Sequence, residues 1–380
     1  MKIIHLCVSC FYIDGYRYQE NELVREHVST GHDVLVVAST ETYLDNLTLG
    51  YTVPGDYTGT DGARVIRLPY GGVGPFFLKK KLRIHAKVAQ IIESFGPDVI
   101  MFHGLCGWEL RTVARYKRKH PNVKLYVDSH EDANNSAVGK LSKILHRFYY
   151  RPLIRSALPD IDKVLCISQE TLTFCRKQYG IEDRQMEFFP LGGNIADDAT
   201  YSRLRSDTRA ALGLDARQVV FLQSGKFDGK KKLAQSLRAF TQTRSEDFRF
   251  LIVGQLHDAV AEEVTALVAK DPRVIFLGWK SSDELYALLC AADVYVQPGS
   301  QSATMQMSLC ARRPVIIADV PSHVPFVDGN GWAVRNDIDL TRAFAAIEDK
   351  PEILDTFSKR SHEIALSLLD YRRMAKRLLT

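Results

Sequence analysis

The sequence predicts an α/β protein built from two doubly wound domains, and three observations carry that prediction. Short β-branched runs alternate with helix-compatible stretches along nearly all of the 380 residues. Continuous apolar strands of this kind belong to parallel sheets covered by helices on both faces. The alternation is interrupted by the Gly-, Asn- and Asp-rich stretch "FFPLGGNIADDATYS" and then restarts, and the chain is too long for one ordinary core. Two domains joined near residue 195 is the economical organisation.

The expected elements follow in order. In the first half, strands "KIIHLCV", "HDVLVVAS", "DVIMF", "KLYVD" and "KVLCIS" are separated by helical stretches, of which "YQENELVREHVST" is the first. In the second half the strands are "VVFLQSG", "FRFLIVG", "RVIFLG", "DVYVQPG" and "PVIIAD". A helix opens at "SSDEL", where Ser281 and Glu284 stand at capping-box spacing. The closing stretch "PEILDTFSKRSHEIALSLLDYRRMAKRLL" is helical and basic. In such sheets ligands bind outside the carboxyl ends of the strands.

An apolar fraction of 46% and a charged fraction of 25% belong to a globular chain. No apolar run approaches the roughly 18 residues of a spanning helix, and the apolar start runs straight into Asp14, unlike a signal peptide. A cytoplasmic location is expected. Seven thinly spread cysteines suit reduced thiols, and Cys7 and Cys10 suit buried small residues better than a redox pair.

The net charge of +5 conceals an asymmetry: residues 64 to 155 carry 18 Lys and Arg against 6 Asp and Glu, whereas residues 1 to 63 carry 3 against 9. Segments 76–87 and 140–155 interleave basic and apolar residues, with Leu141, Ile144, Leu145 and Phe148 at helical spacing beside Lys140, Lys143 and Arg147. Such a stripe either faces a core with a solvated basic back or lies on an anionic membrane. Nucleic acid is not expected, since no binding motif accompanies the charge.

Three strand-end stretches carry polar chemistry. "LQSGKFDGKKKL" ends a strand at Gly225 and supplies Lys226, Lys230, Lys231 and Lys232. Lysines at a strand-to-helix turn suit a phosphate, though a solvated charge run is the common alternative. The loop "QPGSQSATMQMSLCARRPVI" has no carboxylate, and Ser300, Gln301, Ser302 and Thr304 cluster at its helix start. Beside the lysine turn it would wall a diphosphate site. "YVDSHEDANNS" gathers Asp128, His130, Glu131, Asp132, Asn134 and Asn135; it matches no firm metal-ligand spacing and suits sugar binding or proton handling better than a bare turn. The dinucleotide fingerprint and any Ser-His-Asp logic are absent.

With these stretches in place, the whole chain resembles the retaining, nucleotide-sugar-dependent glycosyltransferases of GT-B fold, family four or "group 1". "MKIIHL" with Gly15 and "GHDVLVV" resembles the family's opening strand, glycine loop and Gly-His-Glu-Val element. "FFPLGGN" resembles its Pro-Asn-Gly-Val-Asp linker. "SGKFDGKKKL" resembles its Gly-Arg-x4-Lys-Gly turn, with Lys226 at the arginine and Lys231 at the lysine. "RVIFLGWKSSDELYALLCAADVYVQPGS", with Trp279, is the most specific match.

The resemblance implies an acceptor-binding Rossmann-like domain over 1–194, a nucleotide-sugar-binding one over 195–357, and a helix over 358–380 returning to the first. It implies glycosyl transfer from a UDP- or GDP-sugar to a saccharide or lipid-linked saccharide, in surface polysaccharide or glycoconjugate synthesis at the inner membrane face. The anomeric configuration is retained, and no metal or cofactor takes part. His130 falls beside the transferred sugar, with Asp128, Glu131 and Asp132 on the acceptor side. Lys226 and Lys231 grip the donor diphosphate, and Gly15, Gly225, Trp279, Ser300, Gln301, Ser302 and Thr304 line the donor. The family's paired glutamates are missing: Met307 occupies the second position, the first is deleted, and Arg312 stands where glycine is common. That departure leaves a catalytically silent partner protein, or a glycoside phosphorylase, as alternatives.

Overall fold

The computed structural model describes residues 1–44, 48–133, 135–300 and 302–380. It divides into two compact units, one of Met1–Pro190 with Tyr371–Thr380, the other of Leu191–Asp370.

The first unit contains β1 (Lys2–Cys7), β2 (Asp33–Ser39), β3 (Glu41–Tyr43), β4 (Leu49–Tyr51), β5 (Gly55–Thr58), β6 (Arg64–Leu68), β7 (Val99–Phe102), β8 (Lys124–Ser129), β9 (Lys163–Cys166) and β10 (Met186–Phe188). Among the described residues, eight of them form a sheet in the order β10-β9-β8-β7-β1-β2-β6-β5, parallel except where β5 meets β6, and β3 pairs antiparallel with β4. The expected apolar strands fill the middle; β5, β6 and β10, which were not foreseen, are short or lie toward the sheet edges, where one exposed face weakens the apolar signal. The first helix, Gln19–Ser29, lies where its pattern predicts.

The second unit contains β11 (Val219–Phe227), β12 (Phe248–Leu256), β13 (Val274–Phe276), β14 (Val294–Gln297), β15 (Val315–Ala318) and β16 (Gly331–Val334), all parallel, in the order β13-β12-β11-β14-β15-β16. The helix Ser282–Ala291 opens with the capping box of Ser281 and Glu284. An interlocked core of Phe221, Phe240, Phe250 and Phe344 holds helices to one face, with Phe221 and Phe344 ring centroids 4.9 Å apart.

In each sheet the strand order reverses once, between β1 and β7 in the first unit and between β11 and β14 in the second. Diverging connections there leave a crevice at the carboxyl ends of the strands.

The terminal stretch departs from its expected division. Helix Ile353–Leu368 belongs to the second unit, where the buried Ser361 donates to the Arg313 carbonyl at 2.7 Å and accepts from Asn330 at 3.0 Å. The return to the first unit therefore begins at Tyr371, not at 358, and the forward boundary falls at Pro190. There Tyr371, Met374, Ala375 and Leu378 join Ile3, Leu23 and Phe189 in one apolar cluster. All seven cysteines are free thiols. Among the described residues no helix is long and apolar enough to cross a membrane.

Candidate active site

The reversal point of the second unit carries two of the polar stretches singled out from the sequence, and the third follows β8, beside the reversal point of the first unit. In the second unit, β11 ends in the lysine turn and β14 in the acid-free loop, and the two are packed together. Ser300 N–H donates to the Lys230 carbonyl at 3.0 Å, and the Lys231 ammonium donates to the Ser300 carbonyl at 3.2 Å. Gly299 permits this approach, since a Cβ there would stand 2.1 Å from the Lys230 carbonyl oxygen. The Asp228 carboxylate accepts from the Lys230 and Lys231 amides at 3.0 and 3.2 Å, folding the turn.

Beneath the turn lies a buried polar layer that the strand patterns did not reveal. Gln223 donates to the Lys231 carbonyl at 2.9 Å, and Tyr295 and Ser302 hydroxyls both donate to Gln297 at 2.7 Å. Gln297 in turn donates to the Ser300 carbonyl. The signal was present in "VYVQP" and "FLQSG", where a glutamine follows an apolar run. Burial holds the Lys231 ammonium below the usual lysine range, against the pull of Asp228.

Lys226 is exposed at the end of β11, beside Gly225, whose φ of +149° is a glycine conformation. Trp279 is 61% exposed just beyond β13, and the preceding residue's carbonyl accepts from Gly254 N–H on β12 at 2.8 Å. Thr304 is half-buried in helix Ala303–Cys310, and Met307 on the same helix is also half-buried. Gln301 lies outside the described residues. Gln306, on the same helix, is buried and accepts from Gly192 N–H at 3.4 Å. Arg312 adopts a left-handed φ of 66°, the conformation that favours the family's glycine; its guanidinium pairs with Asp198 at 2.5 Å and stacks on Tyr201 at 4.3 Å.

In the first unit, β1, β7 and β8 end side by side, and the loop after β8 carries Asp128, His130, Glu131 and Asp132. Asp128 is buried. It accepts from His103 Nδ1 at 2.5 Å and from Gly104 N–H at 2.7 Å, and His130 Nε2 lies 3.9 Å away. Burial works against its charge, but the His103 cation outweighs that and holds the carboxyl below the usual range. For His103, burial also opposes the charge; Cys7 and Asp128 overcome it and raise the imidazole to about 10. Glu20, at the start of the first helix, is buried beside this group and burial raises its carboxyl.

His130 itself is 41% exposed, as a group meeting a ligand needs to be. Glu131 points aside: it accepts from the Tyr179 hydroxyl at 2.8 Å, and that hydroxyl also meets Cys106 Sγ at 3.1 Å and His146 Nδ1 at 2.8 Å. The Cys106, Glu131 and His146 donor atoms come within 4.8 Å of one another, and Tyr179 already bonds to all three. Asp132 is spent on the turn, exchanging bonds of 2.9 Å with Asn135; Asn134 lies outside the described residues. Gly15 stands in the loop after β1 with φ +77° and donates to Thr60 Oγ1 at 2.9 Å. His103 and Glu20 escaped the sequence analysis because the strand "DVIMF" stops one residue short of His103 and Glu20 is one of several helix acids.

Two largely parallel sheets with polar residues at or beside their reversal points define an α/β protein with a ligand crevice at the strand ends of each unit. Residues 14–192 match the family described as glycosyl transferase 4-like domain, and residues 218–349 match glycosyl transferases group 1. The chain belongs to the group 1 glycosyltransferases, of GT-B fold.

Solved structures agree in fold. Sucrose-phosphate synthase from Thermosynechococcus elongatus is 17% identical at a TM-score of 0.66, over 99% of this chain and 97% of that one. HepE from Anabaena, solved with UDP, is 16% identical at 0.64 over 100% and 98%. WaaG, a glycosyltransferase involved in lipopolysaccharide biosynthesis, is 15% identical at 0.60 over 99% and 98%. No curated protein matches the sequence.

Proposed function

We propose that the protein transfers a sugar from a UDP- or GDP-sugar to a saccharide or lipid-linked saccharide, with retention at the anomeric carbon, in surface polysaccharide or glycoconjugate synthesis. The observation that carries the donor assignment is the packing of the lysine turn against the acid-free loop, with Lys231 bonded to Ser300 and Lys226 exposed beside it. HepE's complexes with UDP and with UDP-glucose favour the same ligand class. Negative charge grows on the departing diphosphate during transfer. Lys226 and Lys231 stabilise it electrostatically, so the scheme needs neither a carboxylate nucleophile nor a metal. His130 faces the transferred sugar and Asp128 keeps that loop in place.

Calorimetry with UDP and GDP, followed by a screen of nucleotide sugars for donor turnover, tests this reading. Binding with turnover of at least one donor is expected. Nucleotide binding without turnover of any donor would favour a silent partner, a reading that Met307 at the second of the paired-glutamate positions supports; turnover driven by inorganic phosphate would favour a phosphorylase.

The acceptor assignment rests on a surface of the first unit. Helices Phe76–Leu82 and Lys140–Leu145 bury none of their residues fully, and of the stripe only Leu145 packs against the core, whereas Phe77 is 70% exposed, Leu141 84% and Phe148 70%. The two segments adjoin, since Tyr149 donates to the Leu82 carbonyl at 3.0 Å and Tyr150 to that of Lys81. Exposed Lys81, Lys140, Lys143 and Arg147 frame the apolar side chains, which suits an anionic lipid surface. Lys80 is already committed to Glu41 at 2.6 Å and contributes less. Replacing Phe77, Leu141 and Phe148 together by Asp is expected to abolish flotation with vesicles containing anionic lipid and to leave UDP affinity unchanged. Flotation equal to wild type would exclude the membrane surface.

A further inference from the structure

A row of buried imidazoles runs through the first unit and ends at the acceptor-side loop. His27 Nε2 lies 3.1 Å from the Ala375 carbonyl oxygen, His27 Nδ1 lies 3.1 Å from His5 Nε2, His5 Nδ1 lies 3.0 Å from His103 Nε2, and His103 Nδ1 lies 2.5 Å from Asp128. None of the three residues is more than 1% exposed. The row therefore has its hydrogen bonds only with itself and its two ends.

Counting protons fixes its charge. Four contacts need four protons, one each, and both termini of the row are acceptors when Asp128 is ionised. Three neutral imidazoles carry only three N–H groups. One proton more is required, and all four contacts survive with it on any one of the rings; the bond to the Asp128 carboxylate decides between them, and with the charge on His103, His27 donates to the Ala375 carbonyl from Nε2 and accepts at Nδ1, and His5 does the same one step on. The extra proton then falls on His103, the ring in contact with the carboxylate, which becomes a donor at both nitrogens.

We propose that His27, His5 and His103 form a hydrogen-bonded row of fixed direction that keeps His103 an imidazolium, and that this buried cation clamps Asp128 and so positions the His130 loop for glycosyl transfer. His103, His5 and His27 are positioning residues: they act on the reaction through Asp128.

The direction of each ring's titration agrees. Burial holds His5 well below the ordinary imidazole range, helped by its two neighbours, and holds His27 down to about 4, whereas His103 is raised. The groups facing His103 are His5 and Cys7 from β1, Glu20 from the first helix and Asp128 from β8. Two carboxyl groups thus share the neighbourhood of one cation. The row also starts on the terminal segment Tyr371–Arg377, so the docking of that segment supplies the acceptor that keeps a proton on His27 Nε2.

The proton count stands independently of the proposed reaction, while the positioning role rests on His130 as the acceptor-side residue. Two measurements separate them. In the full-length protein labelled with 15N-histidine, long-range 1H–15N spectra at about pH 8 should show both His103 nitrogens protonated, with His5 and His27 protonated only at Nε2. A neutral His103 at that pH, or Nδ1–H tautomers for His5 and His27, would overturn the row whether or not the protein is a transferase.

His103→Gln and His27→Gln then test positioning, with a donor found by the screen. The outer partners of a reacting group are commonly worth about tenfold to a hundredfold, and kcat should fall by that factor with the donor KM and UDP affinity held within about twofold. Unchanged kcat in His103→Gln would overturn the positioning role. A fall in UDP affinity matching the fall in kcat would assign these rings to the fold alone, overturning it too.

Discussion

Lys231→Met is expected to lower turnover about a hundredfold to a thousandfold, the scale of removing one donor that faces charge developing in a transition state. Methionine keeps the apolar stem and removes the cation, so the test isolates charge from packing. The size of the effect follows from where the ammonium sits. Burial of the Lys231 side chain depresses its ionisation, and a cation in a partly dried site interacts with a diphosphate more strongly than one in water. Lys231 also donates to the Ser300 carbonyl at 3.2 Å, so the variant loses about 0.5–1.5 kcal/mol of stability.

The neighbouring Lys230 is exposed, and Lys230→Met serves as the control. It should leave turnover within about twofold, since exposed charges contribute little. Steady-state kinetics on both variants, with UDP affinity by calorimetry, checks the pair. Equal losses from the two positions would assign the effect to general surface charge and would remove Lys231 from the donor site.

Asp128→Ala is expected to cost about 3–5 kcal/mol of stability, because it strands a buried cation. The pH dependence has a definite sign. The Asp128 carboxyl is depressed in the fold, so its contribution is present above the ordinary carboxylate range and disappears as pH falls through the depressed value. The His103 imidazole is raised to about 10, so its contribution is complete below the ordinary histidine value and is lost as pH climbs toward about 10.

The gap between wild type and Asp128→Ala should therefore be widest in mildly acidic solution and shrink on both sides. The fold's own acid sensitivity adds a separate trend. His27 is depressed to about 4, so protonating the unfolded chain draws stability away as pH falls from about 6.5 toward that value. Denaturant unfolding of both proteins across mildly acidic to alkaline pH measures the difference directly. A gap independent of pH would mean that Asp128 and His103 do not form an ion pair.

Much of the donor side was legible in the residues themselves. A lysine turn closes β11 and a Pro-Gly loop closes β14, and a parallel α/β sheet places the ends of its strands on one edge. Adjacency of the two followed from strand order. What fell short was resolution within the loops: Ser302 and Gln306 have side-chain chemistry suited to a ligand, yet Ser302 donates to Gln297 and Gln306 accepts from Gly192. Whether a polar side chain turns inward or outward is settled by neighbours that no local pattern identifies.

The basic segments illustrate the same limit. Leu141, Ile144 and Phe148 at helical spacing are compatible with a buried or an exposed stripe, because amphipathicity states that a helix has two faces and not what covers either. Only the packed unit places them in the open.

By itself the sequence determined the α/β class, the two alternating series, the capped helix at Ser281, and the lysine and acid-free loops. These are written in periodicity and spacing over a few residues, and hydrophobic burial enforces them locally. The tertiary structure decided the division at Pro190 and Tyr371, and the histidine row. His5 and His103 lie 98 positions apart and His27 stands 22 from His5, yet their rings touch. Parallel pairing of β1 with β7 brings His5 and His103 together, the first helix adds His27, and burial then gives those rings one another, Asp128 and the Ala375 carbonyl as partners. A lone histidine in an apolar strand carries no sign of that.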